Sequence, residues 1–361
     1  MAAVPTLERY YAAEVIVGRG VLKEVGPILA KTLLASQCAI ISDSNVAPLF
    51  ADRVKQSLMS AGFHPTLIKI PAGEESKTLK TVGSICNQMI ASGLDRQSFV
   101  VGLGGGVIGD ISGFVAAIYH RGIPHVQIPT TLLAMVDSSI GGKNGVNTYD
   151  GKNLIGAVHH PSLVIDDLDV LRTLPRREFN QGLAEIIKHA IIADGKMLNE
   201  VANASGLRRA SETLALQSLI KRNIEIKMRI VSKDERDRTG DRAILNFGHT
   251  VGHAIERAGG YRKFLHGEAI SLGMVAACAI STKKAGLPPD QRDAIVDLLR
   301  QGGLPTQLPK KFPRQKIFDA LAHDKKFEGG KVRFVVTPRI GSARVATNVT
   351  MNDIREAIDA L

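Results

Sequence analysis

The sequence predicts an α/β protein in two parts: an N-terminal domain on a parallel sheet over residues 1–175, then a mostly α-helical domain over residues 176–361. Three observations predict it. The first half alternates short β-branched runs with helical segments, the pattern of a parallel sheet covered on both faces. Beyond Glu178 the strand signal fades and helical periodicity takes over. A chain of 361 residues is also long for one core, at roughly 100–200 residues per domain.

In chain order, Val15 to Val17 reads as a strand and Val21 to Leu34 as a helix. Cys38 to Ile41 then leads into Val46 to Ala61, Thr66 to Ile70 into Leu79 to Ala91, and Phe99 to Leu103 into Gly109 to Tyr119, before a strand at Val126 to Ile128. The boundary is expected near Leu174-Pro175-Arg176-Arg177. Helices follow at Phe179 to Asp194, Leu207 to Ser232, Gly248 to Ala258, His266 to Ala285 and Asp290 to Gln301, with a late strand pair at Val332 to Val336 and Ala343 to Ala346. The cleft between two such domains is the expected active site.

Composition narrows the function. No run reaches the ~18 uncharged apolar residues of a membrane span. Met1 to Gly20 carries Glu8, Arg9, Glu14 and Arg19 and has no apolar signal core, so a soluble, cytoplasmic protein is expected. Cys38, Cys86 and Cys278 lie far apart in apolar runs, which fits buried thiols rather than disulfides or a thiolate metal cluster. Lys and Arg total 46 against 35 Asp and Glu, a net charge of +11. Basic windows are interspersed with acids, aromatics are 4% and Trp is absent. Nucleic acid is therefore disfavoured, and an acidic metabolite with a phosphate or carboxylate fits better.

Phe99-Val100-Val101-Gly102-Leu103 runs into Gly104-Gly105-Gly106-Val107-Ile108-Gly109-Asp110 and then a helix. This is strand, glycine turn, helix, in which backbone N–H groups can approach a pyrophosphate. The turn follows the fourth expected strand, not the first, and no acid ends a strand about 20 residues later; Asp43 is the better candidate for a ribose contact.

His249-Thr250-Val251-Gly252-His253 sets two imidazoles on one helical face, but Thr250 stands where a zinc peptidase needs Glu, so peptide hydrolysis is disfavoured. Leu265-His266-Gly267-Glu268 adds a third imidazole. Ala184-Glu185-Ile186-Ile187-Lys188 puts a carboxylate and an ammonium one turn apart in an apolar helix. Two imidazoles, one carboxylate and an open position make a catalytic zinc arrangement. Loops at Asp137-Ser138-Ser139 to Lys143-Asn144 and at Gly151-Lys152-Asn153 carry lone charges of the kind that hold ligands. Arg121, Lys143, Lys152, Asn153, Lys188, Lys227, Arg242 and Lys325 or Lys326 together suit a substrate bearing both phosphate and carboxylate.

These segments, with Pro129-Thr130-Thr131-Leu132-Leu133-Ala134-Met135-Val136-Asp137, resemble the 3-dehydroquinate synthases, within the sugar-phosphate cyclases, over nearly the whole chain. The resemblance implies NAD, one zinc or cobalt ion, and 3-deoxy-D-arabino-heptulosonate 7-phosphate as substrate of a phosphate-eliminating lyase. It implies Glu185, His249 and His266 as metal ligands. It places NAD on Asp43, Gly73, Glu74, Glu75, Ser76, Lys77, Thr78, Gly105, Gly106, Val107, Ile108, Gly109, Asp110, Thr130, Thr131, Lys143, Lys152, Val170, Leu171, Arg172 and Thr173. Asp137, Lys143, Lys188, Asn153, Lys227, Arg242, Asn246, His253 and Lys325 or Lys326 would surround the substrate, and Arg121 would cross to the partner of a homodimer. The 234–240 loop is one residue longer than the family pattern suggests, which bears on Lys227. Another sugar-phosphate cyclase and a metal-dependent polyol dehydrogenase are the alternatives.

Overall fold

A computed structural model describes residues 6–10, 13–149, 151–203, 214–235, 239–322 and 333–361. They form two compact units, Met1–Pro175 and Arg176–Leu361. The first runs β1 (Thr6–Tyr10), β2 (Ala13–Gly18), α1 (Val25–Ala30), β3 (Gln37–Asp43), α2 (Ala47–Ser60), β4 (His64–Ile70), α3 (Leu79–Ala91), β5 (Phe99–Gly104), α4 (Gly106–Ile118), β6 (His125–Pro129), β7 (Lys143–Val146), β8 (Ile155–Val158) and β9 (Leu163–Asp167).

Seven strands pair in the order β1-β2-β9-β6-β5-β3-β4; β1 is antiparallel to β2 and the other five pairings are parallel. Every residue of β5, β6 and β9 is buried, as central parallel strands covered on both faces require. Ile41, Ile68, Ile85, Met89, Val100, Ile111 and Phe114 form the core on one side of this sheet. From β3 the chain moves outward to β4 and then returns to lay β5 on the other side of β3. That reversal is a topological switch point, and α/β sheets bind ligands outside the carboxyl ends of the strands there. Asp43 ends β3 and Gly104 ends β5, with Ser42 paired to Leu103 just before them.

The structure corrects several sequence expectations. β1 is an extra strand, so the glycine turn follows the fifth strand. The helix expected over Val21 to Leu34 is a 3₁₀ turn at Val21–Glu24 followed by a six-residue α1. A β7–β8 hairpin and strand β9 occupy a region in which no strand was expected. β9 enters the middle of the sheet, and Asp167 at its end accepts the Gly20 and Leu22 amides at 2.9 Å each. The Asp167 carboxylate is therefore structural, tying the turn after β2 to the end of β9.

His125, at the start of β6, is 0% exposed, and neither ring nitrogen has a hydrogen-bond partner among the described residues. Its ring stacks on His159 at 5.1 Å. Burial, reinforced by His159 and His160, pulls its pKa down to about 3. An unfolded histidine binds its proton below about pH 6.5, so the native state loses stability as pH falls from there towards 3. The expected penalty at pH 5.5 is about 1.4 kcal/mol. His125→Phe keeps the ring and removes the titration, so unfolding midpoints at pH 7.5 and 5.5 should differ less in the variant than in the parent. An unchanged difference would contradict the burial argument.

The second unit runs α5 (Arg176–Ala193), α6 (Lys196–Asn203), α7 (Leu214–Val231), a 3₁₀ turn at Asp241–Asn246, α8 (His249–Ala258), α9 (His266–Ala285), α10 (Pro289–Gln301), α11 (Arg314–Ala322), the antiparallel pair β10 (Phe334–Arg339) and β11 (Ser342–Ala346), and α12 (Met351–Asp359). The short helices α6, α11 and α12 add to the sequence expectation. Residues 207–213 of the helix expected to begin at Leu207, and Val332 of the late strand pair, lie outside the described residues.

Candidate metal centre and nucleotide loop

The second unit brings Glu185, His249 and His266 together by packing three helices unusually close. A Cβ on Gly273 of α9 would lie 2.0 Å from the Gly248 carbonyl oxygen, and one on Gly267 would lie 2.4 Å from Gln181 Cα on α5. Only glycine permits these approaches, which press α9 against the start of α8 and against α5. Gly248, at φ +78°, also turns the chain into α8 with His249 as its first residue.

Glu185 is fully buried in α5. Its Oε1 lies 3.6 Å from His249 Nε2 and 3.7 Å from His266 Nε2, and has no hydrogen-bond partner among the described residues. The far side of each ring is held: His249 Nδ1 lies 3.1 Å from the Phe247 carbonyl oxygen and His266 Nδ1 lies 3.3 Å from Glu256 Oε2. A carbonyl only accepts, so His249 Nδ1 carries the proton and its Nε2 lone pair faces the carboxylate. A lone pair and an unpartnered carboxylate oxygen facing one another call for a cation between them. The separations suit one: bonds of 2.0–2.1 Å in a tetrahedron space ligand atoms by about 3.3 Å. Outer groups that fix both imidazoles complete the usual metal-site arrangement.

Electrostatics agree. Burial opposes the Glu185 charge, but the Lys188 ammonium beside it and the two imidazoles hold its carboxyl well below the usual range. Burial, then Lys188, pushes His249 well below its ordinary value and keeps it neutral. Burial also disfavours charge on His266, yet Glu185 and Glu256 raise it to about 10. The pocket is built to retain positive charge, and the residues present fit a zinc or cobalt ion.

His253, one turn after His249, is exposed, with its ring 5.2 Å from that of His249 and 5.9 Å from that of His266. His253, Glu256 and His266 also offer ligand atoms within 4.8 Å of one another. Glu256 was missed in the sequence reading. Its signal was there: it lies seven residues after His249 on the same helical face. Lys188 is 1% exposed and paired with Glu185. Lys227 on α7 and Arg242 on the 3₁₀ turn are buried, and these elements pack on one another and on α5. Arg242 Nη1 donates to the Glu235 carbonyl at 3.2 Å and Asp234 accepts the Gly240 amide at 2.8 Å, while residues 236–238 of the 234–240 loop lie outside the described residues. Asn246 is half-buried at the end of that turn. Lys325 and Lys326 lie outside the described residues.

In the first unit Gly105 precedes α4 with no side chain capping the helix, leaving its first amides for a ligand. A Cβ on Gly106 would lie 2.9 Å from Ser138 Oγ, and that hydroxyl and Thr130 Oγ1 are buried without partners among the described residues. Uncapped amides, an unfilled cradle and two orphaned hydroxyls fit a pyrophosphate-bearing cofactor. The Ile108 side chain is buried in the core with Val107 packed against it, and Gly109 N–H donates to Gly105 O at 3.0 Å. Thr131 Oγ1 accepts the Ala134 amide at 3.1 Å, starting a π-helical turn that carries Asp137. Such turns recur at functional sites.

Lys77, buried, binds both Asp110 and Asn153, which ties the loop before α3 to α4 and to the 151–153 turn. Burial raises the Asp110 carboxyl, with Lys77 opposing. Glu74 accepts Asn147 Nδ2 at 2.8 Å and lies 3.9 Å from Lys152 Nζ. Gly73, at φ +108°, opens the turn through Glu75 and Ser76, and Thr78 caps α3 by accepting the Thr81 amide at 3.2 Å. Asp43 Oδ1 accepts the Asn45 and Val46 amides, a structural role alongside any ribose contact. Lys143 is exposed at the start of β7. Val170 and Leu171 point into the core, whereas Arg172 and Thr173 are exposed. Arg121 is exposed within a run of positive φ at His120, Arg121 and Gly122 of 47°, 69° and 123°, a conformation that costs a non-glycine residue about 1–2 kcal/mol.

A parallel-sheet unit with a nucleotide loop and a helical unit with a two-histidine, one-carboxylate centre define a cofactor- and metal-using α/β enzyme class. The chain belongs to the 3-dehydroquinate synthase family: the model of the N-terminal region matches residues 67–181 and that of the C-terminal region residues 182–327. A 3-dehydroquinate synthase of Desulforamulus reducens is 43% identical over 94% of each chain. Among solved structures, 2-epi-5-epi-valiolone synthase from Streptomyces hygroscopicus subsp. jinggangensis 5008, with NAD+ and Zn2+ bound, superposes with a TM-score of 0.88 at 29% identity, covering 99% of this chain and 98% of that one. A 2-deoxy-scyllo-inosose synthase with carbaglucose-6-phosphate, NAD+ and Co2+ gives the same score and identity, over 98% of this chain and 99% of that one.

Proposed function

We propose that this chain is a 3-dehydroquinate synthase that converts 3-deoxy-D-arabino-heptulosonate 7-phosphate to 3-dehydroquinate and phosphate, as a cytoplasmic homodimer, with Arg121 reaching the partner. The observation that carries this reading is the Glu185, His249 and His266 centre with Lys188 buried beside it, in a chain of this family. The 43% identity to a relative named for this activity, against 29% to the valiolone and inosose synthases, favours it over another cyclase.

When bound, NAD and a zinc or cobalt ion supply reversible oxidation and Lewis acidity at a substrate hydroxyl. The chain's own residues do the rest. Glu185, His249 and His266 hold the ion, with Glu256 and the Phe247 carbonyl fixing the rings. Lys188 balances the Glu185 charge and presents an ammonium to the developing oxyanion. Lys227 and Arg242 bind the anionic groups of the substrate, and Asn246 hydrogen-bonds it. His253, exposed one turn after His249, adds a hydrogen-bonding ring to the substrate group. The amides before Gly109, with Thr130 and Lys77, hold the cofactor.

Phosphate release from the heptulosonate phosphate should require NAD, stop after chelation and return with zinc or cobalt. Full release from metal-free protein would overturn the reading.

A further inference from the structure

We propose that the second unit carries a separate site for a small phosphate monoester, in a cleft of about 320 Å³ between the end of α7, the Asp241–Asn246 turn and β11. Ile230, Ile244 and Val345 give it an apolar lining, and Lys233, Asp241 and Arg344 line it with charge. A third cation joins them: Arg333 Nη2 lies 2.6 Å from where a Cβ of Gly240, another lining residue, would stand. Lys233, Arg333 and Arg344 thus converge from three separate segments. None of these side chains has a hydrogen bond or ion pair with another described residue. Asp241 is the one carboxylate in the lining, and its Oδ2 accepts the Thr239 hydroxyl at 3.3 Å.

Three cations without partners among the described residues, set around a concavity, suit a dianionic phosphate, with arginine able to bind two oxygens at once. The apolar wall and the volume, larger than a bare phosphate needs, favour an ester with a small organic part. The cleft is also linked to the proposed substrate group. In a 3₁₀ turn residues three apart share a face. Asp241 and Ile244 therefore face the cleft together while Arg242 and Leu245 are buried on another side. An anion in the cleft would hold the turn that positions Arg242, a link that rests on the function proposed above; binding itself does not.

Calorimetric titration of the cofactor-free chain with glucose 6-phosphate tests the site. The parent should bind one more ester per chain than R333Q/R344Q, and K310Q/K311Q, which removes two exposed charges elsewhere, should match the parent. Equal stoichiometry in the parent and R333Q/R344Q, or equal loss in both variants, would overturn the proposal. In a second arm inorganic phosphate should bind the cleft at least ~10-fold more weakly; equal affinity would overturn the ester assignment. If the proposed function were wrong, the difference of one ester per chain between parent and R333Q/R344Q would remain.

Discussion

His266→Ala and Glu185→Gln are each expected to release the metal and lower turnover by at least ~10³-fold, with the helical unit still folded. Glu185→Gln also lowers stability, because it leaves the buried Lys188 ammonium without its countercharge. A metal that lowers a hydroxyl pKa and stabilises developing charge contributes several kcal/mol to the transition state, and each 1.36 kcal/mol is tenfold in rate. Both positions are held by glycine-mediated helix crossings rather than by the ligands themselves, so removing one donor leaves Gly273 on Gly248 and Gly267 on Gln181. Glu256→Gln separates direct from outer roles: it keeps all three donors and alters the group behind His266, for which loss of ~10–100-fold in metal affinity is the usual scale. Metal content by mass spectrometry, beside turnover and far-UV circular dichroism, reads the outcome. A His266→Ala protein with full metal and full turnover would remove the centre from the account.

Lys188→Met is expected to lower turnover by at least ~10²-fold, the scale for losing an acid–base or electrostatic group. The structure adds a stability effect. Lys188 is the countercharge of a fully buried Glu185, and breaking a buried pair costs about 3–5 kcal/mol because the other charge is left behind. The metal-free variant should therefore unfold at lower denaturant than the metal-free parent. Added zinc should restore most of the difference, since the ion supplies the missing positive charge. Thermal and denaturant unfolding with and without metal distinguish this from a surface lysine, whose removal would change neither turnover nor stability.

What could be read from sequence was local chemistry. Glu185 and Lys188 stood out as charges in an apolar helix, and His249 and His253 by their four-residue spacing. Their convergence with His266 could not be derived from spacing alone, because it depends on glycines at helix crossings whose partners are far away in the chain. Glu256 lay within the same helical pattern but resembles an ordinary exposed helix glutamate until its burial is seen. β9 was hidden by Asp166-Asp167, since carboxylates at a strand end signal loop unless a partner is known, here the Gly20 and Leu22 amides that Asp167 accepts. The β7–β8 hairpin lacks a strand signature because Gly145 faces Gly156 across it; a Cβ on Gly145 would lie 2.7 Å from the Ile155 carbonyl oxygen. Gly26-Pro27 broke the helical pattern after Val21, and the chain there settled for a 3₁₀ turn and a six-residue helix.

NAD bound at the glycine loop would supply reversible oxidation within one turnover, so no net NADH is expected to accumulate. Phosphate and NADH should be followed together on one sample of the protein with its metal, NAD and the heptulosonate phosphate. The account predicts phosphate rising in step with substrate loss while the NADH absorbance stays flat. NADH accumulating one for one with product and without phosphate, as a polyol dehydrogenase requires, would contradict it.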